Sequence, residues 1–117
     1  MFEGAFRQKL IGLCENPATR AVPRSAEFPC RWFPEQVYEP DSGWPFTKAG
    51  AWEFVVESLR RECRINILRM RKPPGSYACV LKVPGGKRKI YIKIQVYGGI
   101  ALGRSFHYDE EWSPTGG

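Results

Sequence analysis

Three strand-like segments joined by glycine-rich turns constrain the fold more than any other feature of this sequence. Residues 77–83 and 88–97 are rich in β-branched and aromatic residues, and a third such run ends at Tyr108. The two connections contain paired glycines. Apolar runs joined by short glycine turns are typical of β-hairpins. We therefore expect an antiparallel β-meander of at least three strands over residues 77–108.

The middle segment alternates strictly between apolar and polar residues. One face carries Ile90, Ile92, Ile94 and Val96, and the other carries Tyr91, Lys93, Gln95 and Tyr97. Successive side chains of a strand point to opposite faces of the sheet. The apolar face is therefore predicted to pack against a helix, and the polar face to meet water.

The length of the last turn decides which polar side chains face one another. Phe106 is the natural core residue of the last strand, which points Ser105 and His107 to the opposite face. A two-residue turn would set Tyr91 against Phe106 and mix polar with core positions. We therefore predict a three-residue loop over 98–100, which pairs 97 with 101, 93 with 105 and 91 with 107.

Arg104 does not fit this alternation, because strict period two puts it on the core side with Phe106. Glycine inside a strand often marks a β-bulge. Gly103 therefore predicts a bulge that turns Arg104 outward.

Two helices are predicted before the meander. In the first, over residues 1–14, apolar residues recur at steps of three and four. The second spans residues 47–64, is capped by Thr47 and ends around Cys63. Its apolar face consists of Ala51, Trp52, Val55, Val56 and Leu59. An extended stretch of ambiguous type, residues 65–70, follows it.

Residues 15–46 form a segment dense in prolines and aromatic residues. Prolines at this density exclude regular helix, whereas the aromatic side chains argue against a solvated linker. We expect an ordered arm that packs on the body of the protein. A partly mobile loop remains the alternative.

The chain of 117 residues, 43% of them hydrophobic, suits one domain with its own core. The predicted elements indicate an α+β fold, with two or more helices on one face of a curved antiparallel meander. The chain holds no apolar run long enough to cross a membrane. Charged residues interrupt the first thirteen positions, so we expect no secretory signal and a cytoplasmic location. The four cysteines lack the spacing of a zinc site, and no metal or cofactor is expected.

Charge is concentrated in the second half of the chain. The formal net charge is +6, yet residues 60–104 contain twelve Lys or Arg and one acid, which gives that stretch +11. A basic surface with aromatic rings suits single-stranded nucleic acid, because cations bind phosphates and bases stack on rings. The candidate RNA contacts are Arg69, Arg71, Lys72, Lys82, Gln95 and Tyr97. A solvated surface that only maintains solubility is the alternative.

The polar face also holds groups suited to cleaving RNA. A histidine can give or take a proton at neutral pH, and a lysine can stabilise a crowded phosphorane without a metal. His107, Tyr91, Lys93 and Arg104 are therefore the candidate catalytic residues. Two other interpretations stay open: His107 as a surface histidine bonded to the acids that follow Tyr108, and Tyr91 as an ordinary cross-strand aromatic residue.

Two short motifs, Ile90-Tyr91-Ile92-Lys93-Ile94 and Ser105-Phe106-His107, resemble the motility quorum-sensing regulator toxins, which are messenger-RNA interferases with the RelE-type fold. The resemblance extends loosely over residues 46–108. It implies active-site roles for Tyr91 and His107. The chain departs from the family in three ways: the residue after Ser-Phe is usually lysine, a further lysine and glutamine have no secure counterparts, and the arm is extra.

The resemblance implies a metal-independent endoribonuclease, the toxin of a bacterial type II toxin–antitoxin system. Its partners would be messenger RNA, free or on the ribosome, and a cognate antitoxin, with no membrane involved. Two alternatives come from other classes of protein. One is a non-catalytic RNA-binding module that uses the same basic face, and the other is a protein-interaction domain that uses the aromatic arm between Trp32 and Phe46.

Overall fold

The structure, a computed structural model, describes residues 2–23, 30–61 and 64–109. This part of the chain forms two α-helices and a mixed sheet of six strands. The helices are α1 (Phe2–Glu15) and α2 (Lys48–Arg60). The strands are β1 (Arg20–Ala21), β2 (Arg31–Trp32), β3 (Ile65–Arg69), β4 (Tyr77–Gly85), β5 (Arg88–Tyr97) and β6 (Ile100–Tyr108). In the described part of the chain, no helix combines the length and apolar character needed to cross a membrane.

The α+β class is confirmed, but the sheet is not purely antiparallel. The strand order is β1-β6-β5-β4-β3, and β2 also pairs with β6. Strands β3 to β6 form an antiparallel meander, which begins with the stretch that was ambiguous in the sequence. Strands β1 and β2 run parallel to β6. The expectation of an antiparallel sheet was wrong on this point, because the arm contributes two short strands along the free edge of β6.

Both helices pack on one face of this sheet. The Thr47 hydroxyl oxygen accepts a hydrogen bond of 2.9 Å from the Gly50 amide, which confirms the predicted start of α2. The helix ends at Arg60, earlier than expected. Cys63, where the sequence placed its end, lies outside the described residues. The five apolar residues predicted for α2 are all buried in the core, which also takes in Leu10 of α1 and the isoleucines of β5.

The described part of the arm packs on the body, as expected. Trp32 is buried, with its ring centroid 4.8 Å from that of Trp52 and 5.3 Å from that of Phe106. Val37 and Phe46 are also buried, and the Phe46 amide donates to the Val37 carbonyl. These three arm residues therefore belong to the core, while residues 24–29 lie outside the described part.

The β5–β6 hairpin reaches the expected pairing by an unexpected route. Its turn has two residues, not three, and Tyr97 pairs with Ile100. Both turn glycines have positive φ, 61° at Gly98 and 75° at Gly99, which suits a two-residue hairpin. The predicted loop over 98–100 and the pairing of 97 with 101 were therefore wrong.

A bulge in β6 restores the register farther along the hairpin. Ile94 pairs with Gly103 and Lys93 with Ser105, so Arg104 is an extra residue. The predicted pairs of 93 with 105 and 91 with 107 are confirmed, as is the bulge beside Gly103. A Cβ atom at Gly103 would lie 2.7 Å from the Trp32 ring. The indole therefore packs directly against the backbone at the bulge.

Candidate functional site

The candidate site lies on the sheet face opposite the helices, which we call the outer face. The register of β5 and β6 places two cross-strand pairs there, Tyr91 with His107 and Lys93 with Ser105. Arg104 projects from the bulge between these strands. All five residues are half-buried, so each has some contact with solvent.

The rings of Tyr91 and His107 are stacked. Their centroids are 5.3 Å apart and their planes are 18° from parallel. The His107 Nδ1 atom lies 2.8 Å from the carbonyl oxygen of Tyr108. A carbonyl only accepts, so Nδ1 carries the proton in this contact, and a neutral ring then has its lone pair on Nε2. The contact thus orients the imidazole with Nε2 as its basic nitrogen.

The surroundings of Lys93 on this face perturb its amine. Partial burial, and secondly the positive charge of Arg104, lower the pKa of Lys93 below the usual lysine value. Both causes disfavour the charged form, because burial removes water from the ammonium group and a neighbouring cation repels it. An anionic ligand placed between Lys93 and Arg104 would relieve this repulsion.

Lys82 borders the site on the other side of Tyr91. It pairs with Tyr91 across β4 and β5, and its Nζ lies 3.6 Å from Oδ2 of Asp109. The Asp109 amide donates to the Lys89 carbonyl at 2.8 Å, which extends the β5–β6 ladder past β6. Lys82 is therefore tied to the end of the hairpin by an ion pair that the sequence did not predict.

The structure contradicts one of the predicted RNA contacts. Gln95 is only 1% exposed, so its side chain is not accessible to RNA. Its Nε2 atom donates to the Lys72 carbonyl at 3.1 Å and to the Ser76 hydroxyl at 3.0 Å. Gln95 therefore binds the β3–β4 loop, residues 70–76, against the outer face.

The other predicted RNA contacts are exposed but lie at different places. Arg71 and Lys72 belong to the 70–76 loop. Tyr97 is at the far end of β5, and Arg69 ends β3, two strands away from β5. The structure thus brings Tyr91, Lys93, Arg104 and His107 together, keeps Lys82 and the loop cations at the rim, and separates Arg69 from them.

Two features of the site could not be predicted from the sequence. The lowered pKa of Lys93 depends on burial. The buried position of Gln95 depends on its hydrogen bond to Lys72, which is 23 residues earlier in the chain. The acids expected near His107 are described only at Asp109, since residues 110 and 111 lie outside the described part.

Cysteine and metal chemistry can be stated for the described residues. Cys14 and Cys79 are buried free thiols, and Cys30 is a half-buried one, whereas Cys63 is outside the described part. Within residues 2–23, 30–61 and 64–109, no three His, Cys, Asp or Glu residues are grouped in a way that suits a metal ion.

Comparison with known proteins returned nothing similar to this chain: no protein-family model, no curated protein and no solved structure matches it.

Proposed function

We propose that this protein is a metal-independent endoribonuclease that cleaves messenger RNA. The observation that carries the proposal is the grouping of His107, Tyr91, Lys93 and Arg104 on the outer face. An oriented imidazole, a phenol and two cations on adjacent strands supply the proton transfer and positive charge that assist transesterification at an RNA phosphate.

The chemistry uses the RNA's own 2′-hydroxyl as the nucleophile. His107 Nε2 accepts the proton of that hydroxyl while its oxygen forms a new bond to the adjacent phosphorus. The bond from phosphorus to the 5′-oxygen breaks, and that oxygen takes up a proton from the site or from water. The products are a 2′,3′-cyclic phosphate and a 5′-hydroxyl, so atoms and protons balance without an added reactant.

Lys93 and Arg104 stabilise the phosphorane in this scheme. Two cations that repel each other in the free protein have their most favourable electrostatic interaction when a doubly negative phosphorane lies between them. Tyr91 holds the reacting ribose, because its ring is fixed against the His107 ring and its hydroxyl lies on the same face. DNA lacks the 2′-hydroxyl and stays intact under this mechanism.

The resemblance in β5 and β6 supports a more specific role. A RelE-type toxin of the motility quorum-sensing regulator kind cleaves messenger RNA in the bacterial cytoplasm until an antitoxin protein neutralises it. We propose the same role here, with messenger RNA and a cognate antitoxin as partners. Histidine in place of the usual lysine gives the site an imidazole that can accept and donate a proton.

The test is to incubate the purified protein with a long unstructured RNA in the presence of a chelator, and to map the ends formed. We expect 2′,3′-cyclic phosphate ends, and a rate for His107→Ala that is lower by roughly 10²- to 10⁴-fold. Tyr38→Ala, which changes an exposed arm residue, is the matched control.

Intact RNA with binding that weakens steeply as salt rises would replace the nuclease by a non-catalytic RNA-binding module. The same reaction is therefore repeated on translating ribosomes before that conclusion is drawn. If His107→Ala cleaves RNA at the wild-type rate, the catalytic site does not lie on the outer face.

A further inference from the structure

A cavity of about 340 Å³ opens at the end of the sheet, beside the β5–β6 turn. Its walls include Phe6 and Lys9 of α1, Tyr77 of β4 and Tyr97 of β5. This volume is at the small end of the range for ligand pockets, which suits a group the size of one nucleotide.

Three of the nine residues that line the cavity are aromatic. The ring centroids of Phe6 and Tyr77 are 6.4 Å apart in an edge-to-face arrangement, and Tyr97 is 48% exposed. Lys9 is exposed on the same helix as Phe6, one turn farther along. Aromatic faces with one cation at the rim are what a base and its phosphate need, since every base has a π-face and every nucleotide a negative charge.

The cavity is connected to the outer face by the 70–76 loop. Gln95 binds the Lys72 carbonyl on the outer face, while Gly75 of the same loop lines the cavity. Along β5, Tyr97 is six residues from Tyr91, which is about 20 Å of strand. A single RNA strand can therefore run from the stacked Tyr91 and His107, past the cations of the loop, to the cavity.

We propose that this cavity binds one base of the RNA strand whose scissile phosphate lies on the outer face, with Lys9 contacting the neighbouring phosphate. The proposal rests on the proposed function, because it takes the same RNA as the ligand. It adds a second recognition point several nucleotides from the cleavage position. RNA too short to span both points lacks this contact.

The first experiment maps the contact directly. Oligoribonucleotides carrying 4-thiouridine at successive positions are bound to the His107→Ala protein and irradiated, and the crosslinked peptides are identified by mass spectrometry. We expect one position to crosslink to the peptides of Phe6, Tyr77 or Tyr97. Ala5→Trp, which fills the cavity from an exposed position of α1, should abolish that crosslink. Ala49→Trp, an exposed alanine of α2, is the matched control and should keep it.

The second experiment measures affinity. Loss of one stacked base weakens binding roughly 5- to 150-fold, so Ala5→Trp and Tyr97→Ala should each raise the dissociation constant of long RNA within that range. Neither variant should change binding of RNA too short to reach the cavity. Lys9→Ala should reduce the slope of log affinity against log salt by about 0.7, whereas Lys48→Ala should leave the slope unchanged.

The outcomes separate this proposal from the proposed function. A cavity crosslink in a protein that never cleaves RNA would support the binding site and overturn the nuclease. Cleavage with the same crosslinks and affinity in Ala5→Trp as in the wild type would overturn the binding site and leave the nuclease intact. Binding of the mononucleotide as tightly as of long RNA would identify a free nucleotide, not an RNA strand, as the ligand and would also overturn the proposal.

Discussion

Tyr91 and His107 are a directly paired couple across β5 and β6, with ring centroids 5.3 Å apart. The pairing depends on the bulge at Arg104, because the two-residue turn alone would set Tyr91 opposite a core position. The bulge thus has two effects: it aligns the two aromatic rings, and it adds Arg104 as a second cation beside Lys93.

Tyr91→Phe tests whether the phenol hydroxyl acts on the substrate. The variant keeps the ring that stacks on His107 but removes the hydroxyl that we propose holds the ribose. We expect kcat for RNA cleavage to fall by roughly 10²-fold with KM nearly unchanged. Tyr38→Phe serves as the control in the same kinetic assay, and a Tyr91→Phe enzyme with normal kcat would limit Tyr91 to a packing role.

Arg104→Gln should move the alkaline limb of the pH–rate profile. In the proposed mechanism Lys93 must be protonated to hold the phosphate, so its lowered pKa should make the rate fall at a lower pH than an ordinary lysine would. Removing the Arg104 charge raises the pKa of Lys93, so the fall should shift to higher pH while the maximal rate decreases. Arg61→Gln, on the exposed end of α2, should shift nothing. If the alkaline limb stays at the same pH in Arg104→Gln, the titration of Lys93 does not cause that limb.

Gly103→Ala should destabilise the protein, because the new Cβ would lie 2.7 Å from the Trp32 ring. Overpacking of a core typically costs about 1–3 kcal/mol, which chemical denaturation can measure. Gly12→Ala is the opposite control: its Cβ meets nothing within 4 Å, and the free energy of unfolding should rise by about 0.5–1 kcal/mol. Equal effects of the two substitutions would argue against the contact between Trp32 and the bulge.

Gln95→Leu should loosen the 70–76 loop. The substitution removes the donor to the Lys72 carbonyl and to the Ser76 hydroxyl. The Ser76 hydroxyl still donates to the Pro73 carbonyl, whereas the Lys72 carbonyl loses the Gln95 donor and faces a buried apolar side chain. We expect a loss of about 1–3 kcal/mol in the free energy of unfolding, together with faster amide hydrogen exchange at Ser76. Unchanged exchange in the loop would show that Gln95 does not hold it.

Cys14 should resist alkylation in the folded protein. Burial, and secondly the neighbouring Cys79 thiol, raise the pKa of Cys14 to about 12. The reactive thiolate is therefore scarce at pH 8, and the side chain is inaccessible as well. Peptide-resolved mass spectrometry after iodoacetamide should find Cys30 modified before Cys14, and equally fast modification of both would contradict the packing of α1 on the sheet.

Much of the site follows from local sequence patterns. The strict alternation of β5 places Tyr91 and Lys93 on one face. Because Phe106 must be buried in the core, His107 has to pair with Tyr91. Gly103 predicts the bulge. The cap of α2 at Thr47 and the buried face of that helix can also be predicted from the sequence. These features depend on residues within a few positions of one another, where the geometry of a single strand or helix is decisive.

Other properties were decided by segments distant in sequence. Trp32 fills the space that only Gly103 leaves open, and the arm that carries it adds parallel strands which no local pattern predicts. The sequence predicts Gln95 as one of the polar residues of an exposed face, whereas in the structure the 70–76 loop covers it. The sequence by itself thus determined which side chains share a face, because that follows from strand periodicity. Only the tertiary structure decided which of them remain accessible and how their charges interact, since burial and charge proximity depend on what packs over each position.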